Sequence, residues 1–288
     1  MGSVFALLAF VAWGLGDFLI QKTTRRFGDW LSLFYITASA AIILFPFVYR
    51  DIPELFAIET LPDLRILLLA SIVSTIAALC LFEGLKRGKI AIIDPIFAFE
   101  VVVTALLARI FLGEQLIPLQ FICVGILVLG IILISIKSFS HFKNIKLESG
   151  IIFAIFATLA MGAENFLNGL GARLTDALMV NWFISVFITL VTFSYIAFRG
   201  QLREMIVDIK RRPGLIAAVS LADNLGWIAY SYSMTYIPIA LATGISEGYI
   251  ALAAMLGLFI NKEKIKKHQF LGLVITIGAA LILAFNTG

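Results

Sequence analysis

Apolar residues run along this chain in ten blocks, at roughly 4–20, 30–49, 64–85, 90–111, 118–136, 149–168, 178–198, 213–236, 238–260 and 267–286. A bilayer crossing takes about 20 apolar residues, and a helix makes all its backbone hydrogen bonds internally, so each block can span a membrane as a helix. The longest connections are Arg50 to Asp63, Lys137 to Glu148 and Arg199 to Arg212. The eighth and ninth blocks part only at Ile237-Pro238, where proline's missing N–H breaks the helix. The pattern predicts an all-α membrane protein with ten transmembrane helices.

Composition removes the alternative of two soluble domains. The chain has 288 residues, 61% hydrophobic and 14% charged, against about 25% charged in a soluble domain. Too few polar side chains exist to face water on all sides, and ten spans leave no room for an extramembrane domain. The net charge of +4 is therefore read as a topology signal, not as a nucleic-acid footprint. Eighteen of the 22 Lys and Arg residues follow the odd-numbered spans, such as Lys86, Arg87 and Lys89 or Lys210, Arg211 and Arg212. The other four are Arg50, Arg65, Arg109 and Arg173. The positive-inside rule then puts both termini outside, in an integral multi-pass protein of the cell membrane. Cys80 and Cys123 lie inside apolar blocks, which predicts neither disulfide nor metal site. Ser3 to Ile20 has no basic n-region and no small-residue cleavage pattern, so it reads as a span rather than a signal peptide. Ala6 stands where a myristoylation motif needs Ser or Thr.

An internal repeat shapes the fold further. A shift of 149 residues lays Glu114 on Glu263, Gln120 on Gln269, Phe121 on Phe270 and Ile90-Ala91 on Ile239-Ala240. A shift of 148 lays Gly14 on Gly162 and Phe18-Leu19 on Phe166-Leu167. The chain thus divides into residues 1–143, spans one to five, and 144–288, spans six to ten. Five is odd, so the second repeat must be inverted in the membrane relative to the first, an arrangement typical of alternating-access transporters.

Two stretches, Gly113-Glu114-x5-Gln120 and Glu263-x5-Gln269-x2-Gly272-x5-Gly278, each follow the fourth span of a half. In this the chain resembles the EamA-like, ten-helix branch of the drug/metabolite transporter superfamily, over nearly its whole length. Cys123 departs from the pattern, standing where the second half has Gly272. The resemblance implies movement of amino acids, nucleotide-related metabolites, sugars or drugs by exchange or ion coupling. Relatives are often drawn with cytoplasmic termini; the charge count here puts them outside.

Seven of the 18 acidic residues fall within spans: Asp17, Glu83, Asp94, Glu100, Glu164, Asp223 and Glu247. An acid at a bilayer centre costs about 2.5 kcal/mol or more, which makes each a functional candidate. Glu100, Asp223 and Glu247 are near mid-span, Glu164 near an outer end, and Asp17, Glu83 and Asp94 near inner ends. Glu100 and Glu247 lie at similar depth in the equivalent fourth and ninth spans, 147 residues apart, a loose match to the repeat. They bind a cation or proton in a central cavity, or only fix helix packing. Asp17, Glu100, Asp223 and Glu247 are the candidates for proton coupling.

Helical spacing puts Asp223 and Asn224 with Trp227 and Tyr230 on one side of the eighth span. Glu164 and Asn165 with Asn168, and Trp13 with Asp17, repeat the idea. Such faces suit a metabolite with a charged end and an apolar body, although aromatics on a membrane helix commonly serve packing alone. The substrate-binding candidates are Asp223, Glu247, Asn224, Trp227, Tyr230, Trp13, Asn165 and Glu164. Gly244-x3-Gly248 allows either close helix approach or local unwinding beside Glu247. Pro95 is either a hinge or a first-turn proline. Glu114 and Glu263 read as structural, meeting Arg109 or nearby lysines, and His141 and His268 as solvent-facing loop residues.

No GxxxxGK[ST] is present, which excludes a built-in ATPase of that type. The reading is a secondary active transporter of a cationic or zwitterionic metabolite, amino acid-like or drug-like, driven by protons or exchange. No catalytic residue, cofactor or metal is expected. The expected partners are a small-molecule substrate, membrane lipid and protons, with no nucleic acid and a functional monomer. An intramembrane enzyme is the alternative, disfavoured because no span holds a His or an HExxH motif; a channel or sensor is another.

Overall fold

The computed structural model describes residues 1–87, 96–136, 149–260 and 266–286. Its helices are α1 (Gly2–Phe27), α2 (Asp29–Val48), α3 (Leu61–Arg87), α4 (Glu100–Leu112), α5 (Pro118–Ser135) and α6 (Ser149–Leu174), then α7 (Ala177–Phe198), α8 (Leu202–Arg211), α9 (Pro213–Tyr236), α10 (Ile239–Glu247), α11 (Tyr249–Ile260) and α12 (Lys267–Phe285). Two 3-10 turns, Ile52–Phe56 and Ile58–Thr60, lead into α3. Among the described residues, six helices are long and apolar enough to cross a membrane, and Gly2–Gly16 and Ile239–Ala253 are shorter apolar stretches. Phe121, Leu190, Phe198, Phe270 and Phe285 are exposed on the outside of the bundle, a surface that lipid rather than water would cover. The chain is an integral multi-pass membrane protein.

The principal helix contacts join opposite halves of the chain. α1 packs on α9 and α3 on α6; α2 packs on α7, α5 on α12, and α4 on α10. Exchanging spans one to five with spans six to ten leaves this set of pairs unchanged.

The residues matched by the repeat lie at these contacts. A Cβ on Gly162 would come within 2.5 Å of Val103 Cβ, and one on Gly14 within 2.6 Å of Leu252 Cδ2. Val103 and Leu252 are themselves 149 residues apart. Glycine in α6 and α1 thus admits the helix that crosses it, α4 or α11. The glutamines act in the same paired way. Gln120 Oε1 accepts the Ile117 N–H at the start of α5 (3.0 Å), while its Nε2 donates to Asn286 O at the end of α12 (2.8 Å). Gln269 Oε1 accepts the Lys266 N–H (3.0 Å), and its Nε2 donates to Ile134 O in the last turn of α5 (2.9 Å). Each glutamine satisfies an orphan donor of its own helix and ties it to the partner's end. Gly130 and Gly272 let α5 and α12 meet backbone to backbone, a Cβ on Gly272 falling 2.7 Å from Gly130 O. The partner of Gly272 is therefore Gly130, and Cys123 is simply buried nearby.

Four expectations change. The stretch from Arg199 to Arg212, read as a loop, contains α8. Its apolar residues Leu202, Met205, Ile206 and Ile209 recur at helical spacing among charged ones, the pattern of a helix lying on a surface. The ninth span is interrupted at Gly248, between α10 and α11. The fourth is interrupted at Ala98-Phe99, where Ile96-Phe97 is helical and α4 begins at Glu100. Phe99 and Gly248 are 149 residues apart, so the two breaks are equivalent. His268, read as solvent-facing, lies in the first turn of α12 with its Nε2 2.7 Å from Ile136 O. Asp94, Pro95, Ile90-Ala91, His141 and Glu263 lie outside the described residues.

Candidate functional site

Glu100 follows its break and Glu247 precedes the equivalent one, which accounts for their separation of 147 rather than 149. Their side chains hydrogen-bond one another. Local packing supports the geometry. Thr104 Oγ1 donates to Glu100 O (3.0 Å) and to Gly162 O (3.1 Å), locking the start of α4 to α6. Gly248 turns the chain beside Phe10, where a Cβ would lie 2.7 Å from the ring. Both readings of Gly244-x3-Gly248 are thus partly met: the helix breaks at Gly248, and α1 approaches it closely.

These acids open onto a cavity of about 250 Å³ between the two halves. Glu100, Glu164, Asp223 and Glu247 all line it. Among the described lining residues there is no Lys, Arg or His. Glu164, expected near an outer end, is instead on the cavity wall, where its Oε1 accepts from Ser74 Oγ of α3 (2.6 Å). It stands close enough to Glu100 and Asp223 to feel their charges. Asn224 lines the cavity while its Nδ2 donates to Ile36 O of α2 (3.1 Å). Glu83 does not line the cavity, and the side chain of Asp17 lies outside the described part of the structure.

One wall is aromatic. Trp13 meets Trp227 edge to face with centroids 5.1 Å apart, and Tyr249 at 5.9 Å, and all three line the cavity. Gly226 makes room for the Trp13 ring, which any Cβ there would strike. Tyr230, expected to bind substrate, stands behind this wall. It packs on Trp13 at 5.2 Å, shares a 2.6 Å hydrogen bond with Thr243 Oγ1 and is fully buried. Its hydroxyl is already satisfied, which makes it a support for the wall.

Several lining residues were not singled out from the sequence. Ser74, Asn181 and Tyr249 are among them, and Asn168 was noted only as part of a face. The available signal was a lone amide in an apolar span, as at Asn181.

The cavity reaches Ile20 and Thr24 near the end of α1 and Ser32 near the start of α2, and therefore runs toward the α1–α2 turn at Gly28. The opposite end of α1 carries an aromatic cluster. There Phe5 stacks on Tyr232 at 5.4 Å and on Tyr236 at 6.0 Å. Beside them, Gly113 ends α4 in a left-handed conformation (φ 66°) that suits glycine, and so delivers Glu114 to the α9–α10 hairpin. Glu114 accepts the Ile239 N–H (3.0 Å) and pairs with Arg173 (2.8 Å), rather than with Arg109 or a lysine. Arg173 Nε donates to Met234 O (2.7 Å) and its Nη2 to Ile237 O (3.0 Å). One ion pair thus caps both ends of the hairpin around Pro238.

A membrane-embedded bundle built across two repeats, with an internal cavity and four carboxylates, defines a protein that handles small molecules within the bilayer. The chain matches the EamA-like transporter family over residues 1–136 and 148–285 and belongs to it. Members of this family are membrane transporters of small molecules, not enzymes. An uncharacterized protein of Methanocaldococcus jannaschii is 25% identical over 140 residues, covering 47% of this chain and 96% of its own. That relative is about one repeat long. A solved crystal structure superposes with a TM-score of 0.73 at 12% identity, over 99% of this chain and 97% of its own; the likeness is one of fold.

Proposed function

We propose that this chain is a secondary active transporter that moves a small cationic or zwitterionic metabolite, amino acid-like or drug-like, by alternating access. Ten spans form two inverted five-span halves, residues 1–143 and 144–288, in a monomer of the cell membrane with both termini outside. The observation that carries the reading is the cavity between the halves, lined by four carboxylates and by no basic side chain among the described residues. A cation entering it meets Asp223 and Glu164 against the faces of Trp13 and Trp227, which favour positive charge. The Glu100–Glu247 pair sits where both interrupted spans break, the place where discontinuous helices commonly hold coupling ions. When both carboxyls are ionised, this pair holds two like charges together, a state that a bound cation stabilises. Proton release and cation binding are thereby linked, whether the cycle runs as proton coupling or as exchange.

The test is reconstitution into liposomes after a thermal-shift screen of amino acids, polyamines, nucleosides and drugs at two pH values, in which ligands stabilise by mass action. Binding is expected for cations and zwitterions. Glu247→Gln is expected to abolish the pH dependence of uptake, and Asp223→Asn to weaken binding about tenfold, as loss of one charge-assisted hydrogen bond does. Transport of anions alone, or both variants behaving as wild type, would overturn the reading.

A further inference from the structure

Next to the carboxylates the cavity holds a second kind of chemistry. Asn165 and Asn168 lie one turn apart on α6, both lining the cavity, with exposures of only 3% and 1%. Asn168 belongs to a hydrogen-bonded relay that runs to the start of α7. Ala177 O can only accept, so the Asn181 group 2.6 Å from it is the NH2. That same Nδ2 donates to Ser231 Oγ (2.7 Å), and Ser231 Oγ shares its one proton between Asn168 Oδ1 (2.6 Å) and Trp227 O (2.8 Å). The oxygen of Asn168 is thereby used inside the protein, and its NH2 is left for the cavity. Asn165 differs: among the described residues no hydrogen bond satisfies its carboxamide. A buried amide without a protein partner needs water or a ligand to satisfy it.

We infer that Asn165 and Asn168 form an oxygen-recognising subsite, which selects substrates carrying a carbonyl, carboxamide or carboxylate oxygen besides the cationic group. The inference rests on the transporter reading above and deepens it. The carboxylates supply attraction for the cation, and a plain amine satisfies them. Asn165 and Asn168 reward only a ligand that also brings an acceptor. An amine without one leaves two buried NH2 groups unpaired, and sites built to hydrogen-bond reject analogues lacking the partner group. Asn168 is held rigidly by its relay, while Asn165 rotates to follow the ligand.

Two probes of equal charge separate these contributions: phenethylammonium, which has an aromatic body and a cation only, and the phenylalaninamide cation, which adds a carboxamide. Affinities are measured by titration calorimetry on the purified full chain, at a pH where both amines are protonated. Wild type is expected to bind phenylalaninamide about tenfold tighter, the equivalent of one net hydrogen bond. Asn165→Leu breaks no hydrogen bond among the described residues and is expected to erase this preference, read as the ratio of the two affinities in the same variant. Asn168→Asp, which still accepts from Ser231 but offers no donor, is expected to reduce the preference as well. No preference in wild type, or a preference unchanged in Asn165→Leu, overturns the subsite. Asp223→Asn reports separately on the cation site: if it weakens both probes equally, the cavity reading stands even when the subsite fails. If neither probe binds wild type, both fall.

Discussion

Glu114 shows how much one side chain can hold. It caps the first turn of α10 and anchors the guanidinium that satisfies the last carbonyls of α9, so two helix ends rest on one ion pair. Arg173→Leu is expected to lower stability by about 1–3 kcal/mol, since it leaves a mostly buried carboxylate and two carbonyls unpaired. Arg173→Lys is expected to recover little of it, because a single ammonium cannot reproduce the planar fork that reaches three acceptors. Thermal unfolding of the purified variants measures both. The Gly-Glu dipeptide was visible in the sequence, and so was its structural character. The partner was not, because Arg173 lies 59 positions away at the end of α6 and only the packing of α6 against α9 and α10 brings it in. Tyr230 teaches the converse. Its place on a polar helix face matched that of Trp227, but a 13-residue loop of chain returns Thr243 to its hydroxyl and takes it out of the cavity.

Among elements, close crossings at glycine govern how the halves fit. Gly162→Ala is expected to destabilise by about 1–3 kcal/mol through overpacking against Val103. Val103→Ala in the same chain is expected to restore little of it, because alanine keeps the Cβ 2.5 Å away, whereas Val103→Gly removes that atom and is expected to restore more, a coupling that a double-mutant cycle measures. For Gly272→Ala no side-chain substitution is expected to compensate, since the obstruction is the Gly130 carbonyl. The surface helix α8 carries a different signal. Asp208 hydrogen-bonds Tyr35, and partial burial together with the Glu204 charge raises its carboxyl above the ordinary aspartate range. A folded value raised above the unfolded one means that stability falls as pH rises through that window, and that the penalty persists above it. Asp208→Asn is therefore expected to be neutral in acid and stabilising at neutral pH, as read from unfolding midpoints at the two pH values. The periodicity of α8 was present in Leu202, Met205, Ile206 and Ile209. The high density of charge around it disguised an amphipathic helix as a loop.

At the scale of the molecule, the repeat and the contacts agree: the matched glycines Gly14 and Gly162 and the matched glutamines Gln120 and Gln269 sit at junctions between halves, whereas the matched Phe121 and Phe270 face outward. The proposed orientation is testable without a substrate. An epitope tag at either terminus is expected to bind antibody on intact cells, whereas a tag in the α8 region is expected to bind only after permeabilisation. By itself the sequence determined the class. Scarce charge and ten apolar blocks require a bilayer, since backbone and side chains have no other way to be satisfied, and two glutamates with two glutamines at one spacing reveal the duplication. It also singled out the buried acids as candidates, because isolated charge in lipid is costly. Only the tertiary structure decided which acids meet. Helical spacing reports which residues share a face, but not which faces meet one another, nor where a helix breaks inside an apolar block. The interruptions at Ala98-Phe99 and Gly248 carry no hydropathy signal, yet they bring Glu100 and Glu247 into contact. Contacts 63 and 50 positions apart likewise tie Asn168 through Ser231 to Asn181, while Asn165 has no such partner among the described residues.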